Sequence, residues 1–312
     1  MRFSVRIDQK ASGVFAIAPT PFASNGDIDF DSIDRLVDFY AKVGCTGITA
    51  LGILGEAPKL DADETLAVAR RFIRRSPIPV VIGVSAPGLA SIRSLTRRVM
   101  DEGAAGVMIA PPSALRTDEQ IVSYFASTTE AIGPEVPWVL QDYPLTLTVV
   151  MTVSVISRII TANPSCVMVK HEDWPGLEKI SALRKLQREG TMRPVSILCG
   201  NGGMFLDFEM ERGADGAMTG YAFPDMLVDF VRLSALGERG AAHDLFDAHL
   251  PLLRYEHQQG VGLAVRKYLL RRRGIIRDDA MRVPFTKMSP AAADEVEYLL
   301  SRVARHDTRA SF

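Results

Sequence analysis

Eight short apolar runs, each followed by a longer amphipathic stretch, limit what this chain can fold into more than any other feature. The runs are residues 14–18, 47–51, 79–83, 106–110, 137–141, 166–170, 195–199 and 216–219. They begin about 20–33 residues apart, the length of a strand, a crossover helix and two loops. In the stretch 31–43, Ile33, Leu36, Val37 and Tyr40 form one apolar stripe, and Gly44 follows as a stop. Stretches 61–75, 91–102 and 117–132 read the same way. Thr117 followed by Gln120 has the form of a capping box at a helix start.

Eight βα units fit one closed parallel barrel, a (β/α)₈ fold. An open doubly wound sheet also alternates strands and helices, but it normally carries a glycine-rich phosphate turn after its first strand. Here Pro19-Thr20-Pro21 stands at that place, so the barrel is the expected architecture. After Pro224 helical stretches follow one another to about Arg305 with no further strand. The expected organisation is a barrel over 1–223 and a C-terminal helical extension over 224–312, packed together as one structural unit.

The 312 residues are 47% hydrophobic and 23% charged, with a formal net charge of −1. A near-neutral chain lacks the positive field that nucleic acid or an anionic membrane rewards. Arg271-Arg272-Arg273 ends an apolar helical stretch, where basic residues complement the helix dipole. Cys45, Cys166 and Cys199 are few and unpaired in spacing, which suits a reducing compartment. Residues 1–12 lack the apolar segment of a signal peptide. No apolar run approaches the length needed to cross a bilayer. A cytoplasmic protein is expected.

In such barrels the chemistry sits at the carboxyl ends of the strands. Lys170 ends the run Val167-Met168-Val169, so its stem would rise from the barrel core. Burial penalises an ammonium, and a neutral amine can attack a ketone to form an imine. The competing reading pairs this lysine with Glu172 or Asp173 at the rim. The histidines show no metal-binding spacing and no Cys/His cluster exists, so no metal site is expected. Gly52–Glu56 lacks the ending of a phosphate loop; a turn that offers backbone N–H groups to a carboxylate fits better. Glu56 itself reads more readily as a tether for nearby loops than as a base.

These residues carry a resemblance. Thr20-Pro21-Phe22 is followed by Gly26-Asp27-Ile28-Asp29, and then by the GxxGE turn Gly52–Glu56. Pro111, Asp142-x-Pro144, Val169-Lys170, Gly216, Thr219-Gly220, Lys267, Gly274 and Arg282-x-Pro284 come next in order. From about Gly13 to Pro284 the chain resembles the dihydrodipicolinate synthase/N-acetylneuraminate lyase family of class I aldolases and dehydratases. The resemblance implies a (β/α)₈ barrel, usually a homotetramer. It also implies a Schiff base on Lys170 and a pyruvate-like 2-oxo acid as substrate, with no metal or organic cofactor.

The chain departs from the family pattern where proton transfer takes place. The middle places of the GxxGE turn usually hold Thr or Ser, whose hydroxyls bind the substrate carboxylate; here they are Ile53 and Leu54. The usual proton-shuttling tyrosine falls at Gln141, and a second tyrosine, lent across an interface, falls at Ser113. The arginine that binds the second substrate of true dihydrodipicolinate synthases falls at Thr146. Genuine synthase activity is therefore not expected.

Tyr143 and His171 are the candidate replacements for the shuttle, with Tyr221 a third. Asp142 stands where it could orient either of the first two. A two-residue step along a strand returns to the same face and a one-residue step does not, which favours Tyr143 over His171. The substrate-binding surface is expected from Ile53, Leu54, Gly55, Ser113, Gln141, Gly200, Asn201, Thr219 and Tyr221. The expected activity is lyase chemistry, aldol or dehydrating, on a 2-oxo acid such as a 2-keto-3-deoxy sugar acid. The alternative is a 2-oxo-acid-binding paralogue that has lost turnover with the relay.

Overall fold

The computed structural model describes residues 5–174 and 176–312. Eight parallel strands close into a barrel in sequence order, and β8 pairs back onto β1. They are β1 Gly13–Ile17, β2 Gly47–Ala50, β3 Val80–Gly83, β4 Gly106–Ile109, β5 Trp138–Asp142, β6 Cys166–His171, β7 Ser196–Cys199 and β8 Gly216–Ala217. The first helices are α1 Phe30–Lys42, α2 Ala62–Arg75, α3 Leu89–Asp101, α4 Asp118–Ile132, the short α5 Pro144–Leu147 and α6 Val153–Ala162. They are followed by α7 Leu177–Arg188, α8 Leu206–Glu211 and α9 Pro224–Ala235. The strands and helices expected from the sequence are all found, with bounds shifted by no more than two residues. The expected capping box is present, Thr117 accepting from the Gln120 N–H while the Gln120 side chain reaches back.

Strand alternation divides the apolar side chains into two cores. Phe15, Ile17, Val81, Val139, Met168 and Leu198 fill the barrel interior, and Ile7 sits with them. The opposite faces pack beneath the helices: Val14, Ile48, Val107, Leu140 and Val169 meet Leu36, Phe72, Phe125 and Ile159. Lys170 is two residues beyond Met168 and Gln141 two beyond Val139, so both belong to the interior face, at its upper end. They stand opposite each other in the ladder between β5 and β6.

Helix α9 lies against β1 and β8. After it come α10 Arg239–Glu256, α11 Gly262–Arg272 and α12 Pro290–Val303. Among the described residues no helix is long and apolar enough to cross a membrane. Helix α10 packs on α9, on α12 and on the turn Asn201–Gly203 that follows β7.

Helix α11 is tied to the mouth of the barrel by a buried ion pair. Lys267 Nζ donates to Glu56 Oε1 at 2.5 Å and to the Ala280 carbonyl at 2.9 Å. The second Glu56 oxygen accepts from Lys59 Nζ at 2.8 Å and from the Arg282 N–H at 3.3 Å. Glu56 is thus the loop tether that its position suggested. Burial pulls the Lys267 ammonium below the ordinary lysine range, and Glu56 opposes that shift.

Removing one partner of a buried pair costs about 3–5 kcal/mol, and Lys267→Met would leave the buried Glu56 carboxylate to the partly exposed Lys59. Lys267→Met is therefore expected to lower the denaturant unfolding free energy by an amount of that order, and Glu56→Gln added to it to restore much of the loss. A loss no larger than that of an exposed pair, under about 1 kcal/mol, would contradict the tether.

Candidate active site

The upper end of the barrel opens into a cavity of about 210 Å³. That is smaller than a drug-sized pocket and suits a small acid. Its floor carries Lys170 and Gln141, and its β2 side carries Ile53 and Leu54. Tyr143 and Thr146 form another wall, and Thr219 and Gly220 a third. The roof comes from the extension, from Glu256 and His257 at the end of α10 and Arg266 on α11.

Lys170 is buried, and its Nζ lies 2.9 Å from Glu172 Oε2. Glu172 is two residues beyond Lys170 and returns to the same face. It is buried as well, and its carboxylate is held from both sides. Gln141 Nε2 donates to Oε2 at 2.7 Å, and the Asn201 N–H donates to Oε1 at 3.2 Å. Gly200 makes room for it: a Cβ there would lie 2.4 Å from the Glu172 side chain. Asn201 adopts φ 51°, a left-handed conformation that asparagine tolerates. Its Oδ1 meets His257 Nε2 at 2.8 Å. The position of the missing tyrosine therefore carries an amide that orients a carboxylate.

His257 is kept neutral. Burial pushes its pKa down to about 4; the Arg266 charge adds to the shift and Glu172 opposes it. With Nε2 donating to Asn201, Nδ1 remains the acceptor. Tyr143 has its pKa raised by burial, so at neutral pH it is a hydrogen-bond donor and not a base.

The other expected residues are distributed unevenly. Ile53, Leu54, Gln141, Thr219 and Tyr143 line the cavity with Lys170. Gly200 and Asn201 act one step back, by shaping and holding Glu172. Gly55 does not line the cavity; its carbonyl accepts from Thr20 Oγ1 at 2.6 Å and fixes the β2 turn. Ser113 is exposed outside it.

His171 lies on the outer face of β6, as the one-residue step requires. It is fully buried beneath the helices, and neither ring nitrogen has a hydrogen-bond partner among the described residues. Asp142 faces the same way, 3.7 Å from His171 Nδ1 and 2.9 Å from Lys179 Nζ. Tyr221 is likewise directed away from the cavity. Its hydroxyl meets His249 Nδ1 at 2.9 Å, and His249 Nε2 meets Asp307 Oδ2 at 3.1 Å. This buried chain joins the β8 loop to the extension.

Among the described residues no group of three or more His, Cys, Asp or Glu side chains is arranged to hold a metal ion. A buried lysine beside a buried carboxylate, under a small roofed cavity, is an arrangement for imine chemistry with local proton transfer. Residues 10–303 match the Dihydrodipicolinate synthetase family. The chain belongs to that family.

Members differ in reaction. The chain is 27% identical, over 93% of its length and 94% of the relative's, to an L-2-keto-3-deoxyarabonate dehydratase of Azospirillum brasilense. It is 30% identical to a 4-hydroxy-tetrahydrodipicolinate synthase of Sorangium cellulosum, over 78% of this chain and 79% of that one. A crystal structure of dihydrodipicolinate synthase from Rhodopseudomonas palustris superposes with a TM-score of 0.95 at 67% identity, covering 96% of this chain and all of that one. The family places the protein among lyases that act on 2-oxo acids. Glu172 has a signal in the sequence, its two-residue step from Lys170, which puts it on the pocket face and not only at the rim. Glu256, His257 and Arg266 had none, because nothing local says that the extension roofs the mouth.

The His257 shift has a consequence for stability. The unfolded chain takes up a proton near pH 6.5 and the folded one only near 4, so the stability present above pH 6.5 is lost as pH falls towards 4. The share due to His257 is on the order of 3 kcal/mol. Thermal unfolding followed between pH 7 and 4 is expected to show a smaller fall for His257→Gln, which keeps a donor for Asn201. Equal falls for both proteins would contradict it.

Proposed function

We propose that the protein is a Schiff-base dehydratase of 2-keto-3-deoxy sugar acids, with Lys170 as the imine lysine and Glu172 as the proton donor and acceptor. The reading is carried by one observation: the 2.9 Å contact between Lys170 Nζ and Glu172 Oε2 beneath the cavity.

In this mechanism Glu172 takes the ammonium proton, and the neutral amine adds to the C2 ketone. Glu172 returns that proton to the alkoxide, then carries a second from the nitrogen to the resulting hydroxyl, and water leaves to give the iminium. The iminium withdraws electrons from C3, and Glu172 removes the C3 proton to give an enamine. The enamine expels the C4 hydroxyl, which leaves as water with the proton from Glu172. Hydrolysis of the conjugated imine restores Lys170. One carboxylate serves every transfer, so no tyrosine relay is required. The Gln141 amide and the Asn201 N–H hold that carboxylate in place, which is the preorganisation acid–base catalysis needs.

The similarity to the Azospirillum dehydratase along nearly the whole chain supports the same reading. The activity named for the Rhodopseudomonas structure is the second reading, and its high identity is the reason to test it. Against it, Gln141 and Thr146 leave the cavity without the tyrosine and the arginine that resemblance assigns to the synthase reaction. A paralogue without turnover has less support, because a buried, doubly held carboxylate is kept beside the lysine. The same reading takes the protein as a cytoplasmic homo-oligomer, a tetramer by family resemblance; its mass in solution tests the copy number.

Purified protein is expected to convert a 2-keto-3-deoxy sugar acid to a product lighter by one water, read by mass spectrometry. Glu172→Gln should lower kcat by about 100-fold or more. Near wild-type turnover by Glu172→Gln, or synthase turnover in place of dehydration, would sink the proposal.

A further inference from the structure

Arg266 is an arginine almost wholly inside the protein, in a cavity whose chemistry so far makes no use of it. Two parts of its guanidinium are engaged. Nε donates to Glu256 Oε1 at 2.5 Å, and Nη2 donates to the Gly220 carbonyl at 2.7 Å. Nη1 is buried and has no partner among the described residues. Buried donors are normally paired, and Nη1 carries two N–H bonds. The Glu256 carboxylate does not supply the partner: its other oxygen accepts from the Ala222 N–H at 3.0 Å.

Nη1 lies where Gly220 and Leu54 meet in the wall of the cavity. A Cβ on Gly220 would lie 1.9 Å from Nη1 and 3.0 Å from Leu54 Cδ1. Nη1 therefore packs against Gly220 beside the Leu54 side chain, and a larger residue at 220 would displace the guanidinium. Leu54 and Ile53 occupy the turn that holds a substrate carboxylate by its hydroxyls in the pattern this chain resembles. Both hydroxyls are absent here. The guanidinium also stands close enough to Tyr143 and His257 for its charge to be felt at both.

We infer that Arg266 binds the carboxylate of the 2-oxo acid through Nη1, in place of the hydroxyls lost at Ile53 and Leu54. Such a bond is charge-assisted and geometrically specific. Glu256 and the Gly220 carbonyl hold the guanidinium, and Nη1 is the donor left without a partner among the described residues. Charge is consistent with this: Arg266 is balanced by Glu256 and Lys170 by Glu172, so an incoming carboxylate meets paired charges and no excess of negative charge. The inference rests on the cavity being a 2-oxo-acid site, and it does not need the imine.

The test is therefore made where no imine can form. Lys170→Ala/Glu172→Gln removes the reactive pair with no change in net charge. Calorimetry on this background compares pyruvate with pyruvamide, its uncharged counterpart. Adding Arg266→Met is expected to weaken pyruvate binding by at least about tenfold and to leave pyruvamide unchanged, and Arg266→Lys to recover part of the loss. If Arg266→Met does not fold because Glu256 is left unpaired, Arg266→Met/Glu256→Gln takes its place. The inference is overturned if pyruvate binding is unaffected, if both ligands weaken equally, or if the background does not bind pyruvate at all. Failure of the imine reading would show differently, as unimpaired turnover by Lys170→Ala.

Discussion

Glu56 and Lys267 meet 2.5 Å apart, both out of contact with solvent, and this pair decides what covers the barrel mouth. The barrel alone supplies a floor, with Lys170 rising from β6 and Gln141 from β5. It supplies no roof. The ion pair draws α11 against the β2 turn, and the Arg282 N–H on the same carboxylate draws in the segment that follows. Arg266, one residue before Lys267, is thereby set over Gly220. His257, just before α11, reaches Asn201 on the β7 turn. A charge pair hidden this deeply adds little net stability compared with apolar packing. Its use here is positional, since it joins α11 to the β2 turn.

Beneath that roof, the lost hydroxyls and tyrosines have counterparts of a different chemical kind. A carboxylate, Glu172, stands at the lysine in place of a phenol. An amide, Gln141, occupies the place of the tyrosine and holds that carboxylate. A guanidinium, Arg266, stands beside the apolar turn that lacks its threonines. A phenol relay passes protons along a chain of hydroxyls; a carboxylate next to the amine takes and returns them at one point. That suits elimination of water, where one proton is removed at C3 and one is delivered at C4.

Much of the architecture was legible because the signals are local and periodic. Alternation fixed Lys170 and Gln141 on the interior face and placed His171 on the opposite one. The same rule applied one step further reaches Glu172. The residues of the resemblance that lie far apart, Glu56, Lys267 and Arg282, were legible as motifs but not as one network. Their meeting depends on tertiary packing over more than two hundred residues of separation, and no local pattern encodes that. Tyr221 shows the converse. A tyrosine on a strand-end loop suggests a shuttle, yet its hydroxyl is taken up by His249 within the interface with α10.

The account stands on Lys170 as the residue that becomes covalently joined to substrate. Borohydride reduction in the presence of pyruvate, followed by peptide mapping, measures this directly. The expected result is a single reduced adduct on the peptide that contains Lys170, absent in Lys170→Ala and formed without added metal. An adduct on another lysine, an equal adduct in Lys170→Ala, or none in the wild type under conditions of turnover would contradict it.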